Sequence, residues 1–395
     1  MSITSAALEQ FRACVFADET LQQELGPIDV PETFAYRAEA MARAHGIDLS
    51  REFVLEGLNA SRPAMSGPTA PDTVTAWPPK LWLPMQAGLT AGGRFGVDWC
   101  YFGTEPLVEP FFDLSARRAA HRPLNRLFRC RTRIDDFLAS ARLDESLAPG
   151  GFIFHMSRCG STLAAQMLAA VPENIVISEA PPLDEIVQLN AYWPQLPPED
   201  HARCLGAMVA ALGRKRSGDE RRNFLKLDSW HTLALPLFRR AFPDVPWIFL
   251  YRDPVEVLVS QIRQRGLQTV PGSIAARLYG IDYTGSAEDY CARVLANICE
   301  AAVNHAGLGG GLMVNYRELP DALWTRILPH FGVAPDEKEL ALMRDAARRD
   351  AKMPQETFIG DAENKQRAAS SAIRAAAETH LAPVYRELER IRARG

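Results

Sequence analysis

Apolar and polar residues follow different spacings in different parts of the chain. From Ala7 to Val15, and again in residues 32–45, apolar side chains recur every three or four positions, which predicts helices over residues 1–58. Residues 59–80 are rich in Ser, Pro, Gly, Thr and Ala, a composition typical of a linker. We therefore expect a helical N-terminal segment that is joined to the rest of the chain by this linker.

Residues 81–149 are apolar and aromatic. Gly92 and Gly93 predict a turn between two short strands. We expect a small cap region whose aromatic residues either pack in a core, the favoured interpretation, or line a substrate pocket. These aromatic residues are Trp82, Phe95, Trp99, Tyr101, Phe102, Phe111 and Phe112.

From residue 150 onward, short apolar runs alternate with helical spacing. This alternation predicts a three-layer α/β fold with a central parallel sheet of about five strands and helices on both faces. Residues 370–394 predict a long final helix. The expected strands are Phe152–Phe154, Ile175–Ile177, Phe224–Leu227, Trp247–Tyr251 and Leu312–Asn315.

The charge of the chain argues against a nucleic-acid-binding protein. A formal net charge of −4 gives no overall basic field for a phosphate backbone. Local arginine clusters do occur, at residues 214–216 and 221–222, and we interpret them as solvated loops. We therefore expect no nucleic-acid partner.

The cysteines and the apolar segments point to a cytoplasmic protein. Seven cysteines are scattered without a Cys-x-x-Cys pair, which argues against a disulfide framework and a zinc site. No metal site is expected elsewhere. The sequence has no signal-peptide pattern and no run of eighteen apolar residues, so we expect no membrane span.

The segment from Gly151 to Leu163 carries the first candidate chemistry. A short apolar strand runs into a polar loop and then a helix, an arrangement that directs backbone N–H groups and the helix dipole at an anion. Ser161 stands where the lysine of a Walker A motif would be, and Arg158 supplies a cation instead. An ordinary strand-to-helix turn is the alternative interpretation.

A second segment begins after the apolar run Trp247–Tyr251. Arg252-Asp253-Pro254 follows it, and Ser260 lies eight residues after the arginine. An arginine fork grips a phosphate through two hydrogen bonds, and proline starts a helix well. The alternative is a structural ion pair of Arg252 at the end of the strand.

Together these segments resemble motifs of the sulfotransferase family, whose members use 3′-phosphoadenosine 5′-phosphosulfate (PAPS). Residues 157–163 resemble its 5′-phosphosulfate loop, usually Pro-Arg/Lys-Ser-Gly-Thr-Thr, with Ser157 and Cys159 departing from that form. Residues 252–260 resemble its 3′-phosphate motif, and the resemblance covers residues 150–395 as a P-loop domain. It is closest to bacterial and tyrosylprotein sulfotransferases. It implies cofactor-binding roles for Arg158, Cys159, Gly160, Ser161, Thr162, Arg252, Ser260 and Lys365.

The resemblance also suggests catalytic residues. Glu179 follows Arg158 by 21 residues, the separation at which the tyrosylprotein enzymes place their catalytic glutamate, so it is the candidate base. Arg158 and Lys226 are the candidate cations at the departing phosphate. His155 is a rival base. The competing interpretations are a capping or ion-paired Glu179 and a surface ion pair of Lys226 with Asp228.

Three further assignments complete these expectations. His231 is a second rival base that we interpret as structural, and Lys352 and Arg367 are candidates for the 3′-phosphate. The N-terminal helices weakly resemble a Nif11-type leader domain and are a candidate surface for a protein partner. A helical extension that packs on the main domain is the favoured alternative.

The expected function is transfer of a sulfuryl group from PAPS, without a metal, to a small-molecule, carbohydrate or peptide acceptor that carries a hydroxyl or amine. One alternative is a nucleotide-dependent kinase or other phosphotransferase, which the missing Walker lysine disfavours. The other is a catalytically inactive protein that binds PAPS or another anion and serves as an interaction module.

Overall fold

The structure is a computed structural model that describes residues 3–60, 72–90, 92–272, 280–353, 355–357 and 360–394. The chain divides into two compact units. The first comprises residues 1–148, 180–189 and 203–220, and the second comprises residues 149–179, 190–202 and 221–395. Within the described ranges, no helix is both long and apolar enough to cross a bilayer.

The first unit combines helices with a four-stranded sheet. Its strands are β1 (Asp72–Val74), β2 (Trp82–Leu89), β3 (Phe95–Tyr101) and β4 (Cys130–Arg133), in the order β1-β4-β3-β2. Strand β1 pairs parallel to β4, and the other pairs are antiparallel. Its helices are Ile3–Ala17, Glu19–Leu25, Pro31–Ala44, Arg51–Ala60, Phe112–His121, Pro123–Leu127, Ile134–Ala139 and Pro181–Val187, with a 3-10 turn at Leu143–Glu145.

Two details of this unit differ from expectation. Strand β1 lies inside the segment whose composition predicts a linker; of that linker, residues 61–71 fall outside the described residues. Arg214 and Arg216, interpreted as part of a solvated loop, are buried. Arg214 donates to the carbonyls of Pro78 and Pro79 and to Glu145, so that interpretation was wrong.

The aromatic residues of segment 81–149 pack mainly in a core. Trp82, Phe95, Trp99, Tyr101, Phe102 and Phe112 are buried. Trp77 adds to this cluster, because its ring stacks on that of Phe137 with 5.2 Å between ring centroids. This burial favours the core interpretation over an aromatic pocket.

The second unit contains the parallel sheet that the alternation predicts. Its strands are β5 (Pro149–His155), β6 (Asn174–Ser178), β7 (Arg222–Lys226), β8 (Trp247–Tyr251) and β9 (Gly311–Asn315). Every pair is parallel, and the order is β6-β7-β5-β8-β9. The α/β class and the five-stranded sheet are thus confirmed, and each expected apolar run lies in its strand or overruns it by one residue.

Helices alternate with these strands along the chain and follow the last of them. The α-helices are Ser161–Ala169, Leu235–Ala241, Pro254–Arg263, Ala287–His305, Leu328–His330, Glu337–Ala346, Ala362–Ala368, Ser371–Ala376 and Ala382–Arg392, while Leu189–Tyr192 and Pro198–Leu212 cross the division between the units. Short 3-10 segments are Ser229–Ala234, Leu267–Thr269, Ala306–Leu308 and Tyr316–Glu318. The expected long final helix is present with a π-helical turn at Ala377–Leu381, and a second π turn spans Leu323–Ile327.

Candidate active site

The carboxyl ends of four parallel strands meet at one edge of the sheet. His155 ends β5, Glu179 follows β6, Lys226 ends β7 and Arg252 follows β8. Strand β5 lies between β7 and β8, and the strand order changes direction at β5. Ligands bind beside such a switch point in open α/β sheets. The structure therefore brings these four sequence-predicted site residues to one edge.

The loop after β5 has an unusual backbone. Ser157 and Arg158 have φ angles of 79° and 53°, a left-handed conformation that side chains other than Gly rarely adopt. Gly160 has a φ of 86°, and a Cβ there would lie 2.7 Å from Cδ2 of Tyr316. The loop thus requires glycine at 160, and it leads directly into the helix Ser161–Ala169, whose N-terminus favours an anion.

The helix that follows β8 holds this strained loop through hydrogen bonds. Nε2 of Gln261 donates to Oγ of Ser157 over 2.9 Å, and Nη2 of Arg158 donates to the carbonyl of Gln264 over 2.7 Å. Both partners belong to the end of the helix that begins at Pro254 or to the residue after it. The two candidate phosphate motifs are therefore linked by hydrogen bonds.

Cys159, Ser161 and Thr162 are buried in the same loop. The Cys159 thiol donates to the carbonyl of Leu250 over 3.0 Å, so its side chain faces β8. Burial raises the pKa of this thiol to about 12, which keeps it protonated and unreactive at neutral pH. Any contact of Cys159 with an anion would use its backbone.

Lys226 and Glu179 form an ion pair at the sheet edge. The Lys226 side chain has no exposed surface, whereas 24% of the Glu179 side chain is exposed. Burial acts to raise the pKa of Glu179, but the opposing charge of Lys226 and the hydrogen bond of His155 hold that pKa below its usual range. Glu179 is therefore an ionised carboxylate, and its φ of 52° adds local backbone strain.

His155 has both ring nitrogens engaged. Its Nδ1 accepts from the N–H of Ser157 at 3.0 Å, and its Nε2 lies 2.8 Å from the carbonyl of Leu227 and 3.4 Å from Oε1 of Glu179. Burial lowers the pKa of His155, which favours the neutral ring. With Nδ1 accepting and Nε2 donating, this histidine positions its neighbours. Neither ring nitrogen has a free lone pair that could take a proton from a substrate.

Arg252 contacts two carboxylates and an aromatic ring. Its Nε donates to Glu256 over 2.6 Å, and its Nη2 donates to Asp361 over 2.8 Å. The guanidinium carbon lies 4.0 Å from the ring centroid of Tyr316. Ser260, on the same helix, donates to the carbonyl of Glu256 over 3.1 Å.

The late basic residues separate into different places. Lys365 is buried and lies 2.7 Å from Asp361, which groups it with Arg252. The Lys352 residue as a whole is exposed. Partial desolvation of its amine and the positive charges of Arg158 and Lys226 lower its pKa to about 8. Lys352 thus belongs electrostatically with the phosphate loop rather than with the 3′-phosphate motif.

Two other candidates contact different residues. Arg367 is exposed and donates to Asn364 over 2.7 Å. His231 is fully buried and its ring lies 6.3 Å from that of Phe238, in keeping with the structural interpretation.

Two carboxylates at the site were not predicted from the sequence. Glu256 could have been found from its place in the first turn of the helix after Arg252, which brings its carboxylate back to the end of β8. Asp361 lies 109 residues from Arg252 and gave no local signal. Only the fold brings it to the guanidinium.

Residues 149–338 match the model of the sulfotransferase family. The match covers just under half of the chain. The matched sulfotransferase region contains the strand-end residues and both phosphate motifs; Lys352, Asp361 and Lys365 lie beyond it. No curated protein gives a significant match to the sequence.

Solved sulfotransferase structures resemble the chain distantly. The sulfotransferase domain of the Synechococcus PCC 7002 olefin synthase is 16% identical, with 62% of this chain and 95% of that domain covered and a TM-score of 0.35. Sulfotransferase STF9 from Mycobacterium avium is 15% identical, with 71% and 86% covered and a TM-score of 0.39. Identities this low do not transfer an acceptor to this chain.

Proposed function

We propose that the sulfotransferase region transfers a sulfuryl group from PAPS to an acceptor hydroxyl or amine. The observation that carries the proposal is the convergence, at one sheet edge, of a glycine-requiring anion loop, the Lys226–Glu179 pair and the buried Arg252. A loop that binds one phosphate and an arginine that binds a second suit a nucleotide with one phosphate at the 5′ position and one at the 3′ position. The match of residues 149–338 to the sulfotransferase family supports the same reaction class.

The residues have distinct roles in this reaction. The loop Arg158–Thr162 holds the 5′-phosphosulfate, and Arg252, Ser260 and Lys365 hold the 3′-phosphate. The acceptor oxygen or nitrogen bonds to sulfur as the bond from sulfur to the phosphate oxygen breaks. Glu179 takes the acceptor's proton, and the other product is 3′-phosphoadenosine 5′-phosphate (PAP).

Lys226 links the two halves of this step. In the free protein it neutralises Glu179 and lowers that residue's pKa. As charge develops on the departing phosphate, the Lys226 ammonium is drawn toward it, and Glu179 becomes a stronger base when the acceptor proton must leave. Arg158 and Lys352 add positive charge at the same place.

Calorimetric titration with PAP, AMP and ATP·Mg tests the donor assignment. We expect PAP to bind at micromolar concentration and AMP and ATP·Mg to bind at least about tenfold more weakly, because they lack the 3′-phosphate that charge-assisted hydrogen bonds hold. Tight ATP binding without preference for a 3′-phosphate would indicate a phosphotransferase instead. Incubation with PAPS and panels of phenols, sugars and tyrosine peptides then shows whether PAP is released, since binding without turnover would indicate an inactive binding protein.

A further inference from the structure

Asp361 holds the two cations that the proposed 3′-phosphate site offers. Its Oδ1 accepts from Nη2 of Arg252 at 2.8 Å, and its Oδ2 lies 2.7 Å from Nζ of Lys365. The side chains of Arg252 and Lys365 are 5% and 11% exposed, whereas that of Asp361 is 46% exposed. One carboxylate at the mouth of the site thus bridges two buried cations with its two oxygens, as a phosphate would.

The charges around Arg252 are already balanced. Arg252 and Lys365 carry two positive charges, and Glu256 and Asp361 carry two negative charges. A dianionic phosphate brought to this set would face no net positive charge. Binding of a 3′-phosphate therefore requires that one of the two carboxylates move away.

The two carboxylates differ in their freedom to move. Glu256 is 6% exposed and lies in the first turn of the helix Pro254–Arg263, so its position is fixed by the helix. Asp361 precedes the short helix Ala362–Ala368 and its carboxylate reaches solvent. Asp361 is the carboxylate that can leave, because water can solvate it at once.

We propose that Asp361 occupies the position of the donor's 3′-phosphate and is displaced when the donor binds, so that this residue sets donor affinity. The inference rests on the proposed function and adds a specificity-determining residue to it. In the exchange, one anion replaces another on Arg252 and Lys365, and the buried guanidinium is never left without a counter-charge. A nucleotide without a 3′-phosphate leaves Asp361 in place.

The test compares PAP and AMP binding to the full-length chain and to Asp361→Asn. Removal of the competing charge should strengthen PAP binding by about tenfold or more, the effect of one hydrogen bond to a charged group, and leave AMP binding unchanged. Glu363→Gln is the matched control, because Glu363 is an exposed carboxylate two residues further on. It removes the same charge without a contact to Arg252 and should leave both affinities within about twofold of wild type.

The outcomes separate this inference from the proposed function. Wild-type protein that does not prefer PAP to AMP would overturn the proposed function and, with it, this inference. Wild-type protein that prefers PAP, with an Asp361→Asn variant that binds PAP equally or more weakly, would overturn the inference alone and make Asp361 a residue that positions Arg252. Asp361→Ser serves the same comparison if the Asn variant does not fold.

Discussion

The ammonium of Lys226 is paired with the carboxylate of Glu179 at the carboxyl edge of the parallel sheet, although 47 residues separate them in sequence. The N–H of Glu179 also donates to the carbonyl of Lys226 over 2.8 Å, so backbone and side chain both fix the pair. The lysine is completely buried and the carboxylate is partly exposed. The same pair therefore affects both stability and the proposed proton transfer, and the two effects need separate measurements.

Glu179→Gln is expected to lower turnover about 100-fold or more, the usual effect of losing a general base, while PAP affinity stays near that of wild type. It also removes the negative charge that pairs with the buried Lys226, which should cost about 3 kcal/mol of unfolding free energy. Initial rates with PAPS measure the first effect, and urea denaturation measures the second.

The double variant Glu179→Gln, Lys226→Met separates these effects. Because both charges are gone, it should recover much of the stability and none of the activity. Turnover of Glu179→Gln near the wild-type value would contradict the role of Glu179 as base.

Lys352 should make donor binding sensitive to pH above neutrality. Its pKa of about 8 means that the amine is charged at pH 7 and loses its charge as pH rises through 8, while a bound anion favours the charged form. PAP affinity should therefore fall between pH 7.5 and 9, by up to about tenfold per pH unit. Fluorescence or calorimetric titrations across this range measure the decline.

Two substitutions test whether the pH effect comes from Lys352. Lys352→Arg keeps its charge at every pH in this range and should remove the decline, whereas Lys352→Gln should bind weakly at all of them. A decline that persists unchanged in Lys352→Arg would assign it to another group, such as Lys365, whose pKa burial also lowers.

Arg252→Lys is expected to weaken PAP binding by about tenfold to a hundredfold. A lysine retains the positive charge next to Glu256 but cannot make the two parallel hydrogen bonds of a guanidinium. AMP binding should change little. Arg367→Lys is the control, since Arg367 is exposed on the nearby helix Ala362–Ala368; equal losses in both variants would argue against a 3′-phosphate site at Arg252.

Gly160→Ala should destabilise the chain and reduce PAP affinity. The added Cβ would lie 2.7 Å from Tyr316 and 2.9 Å from Leu319, at a φ of 86°. Gly206→Ala is the matched control because, apart from its chain neighbours and the backbone of its own helix, no heavy atom lies within 4 Å of its Cβ. Inside the helix Pro198–Leu212 it should add about 0.5–1 kcal/mol of stability. Thermal melts of both variants, followed by PAP titration, show whether the effect is specific to the loop.

The strands of the second unit and the residues at their ends could be predicted from local sequence patterns. Runs of apolar residues such as Trp247–Tyr251 are local signals, and so is a glycine between a strand and a helix. The carboxyl ends of parallel strands share one edge, so Glu179, Lys226 and Arg252 could be placed in one site before their contacts were known. Their common location follows from general rules of sheet topology, whereas the roles expected of Glu179 and Arg252 came from the resemblance to sulfotransferase motifs.

The pairing of the charged side chains could not be predicted in this way, because it depends on the folded chain. Arg214 and Arg216 were expected to be solvated but are buried, and carbonyl and carboxylate groups far along the chain accept hydrogen bonds from them. Asp361 reaches Arg252 from 109 residues away. An ion pair depends on distance in space, and that distance is fixed by the packing of the whole unit rather than by any local pattern.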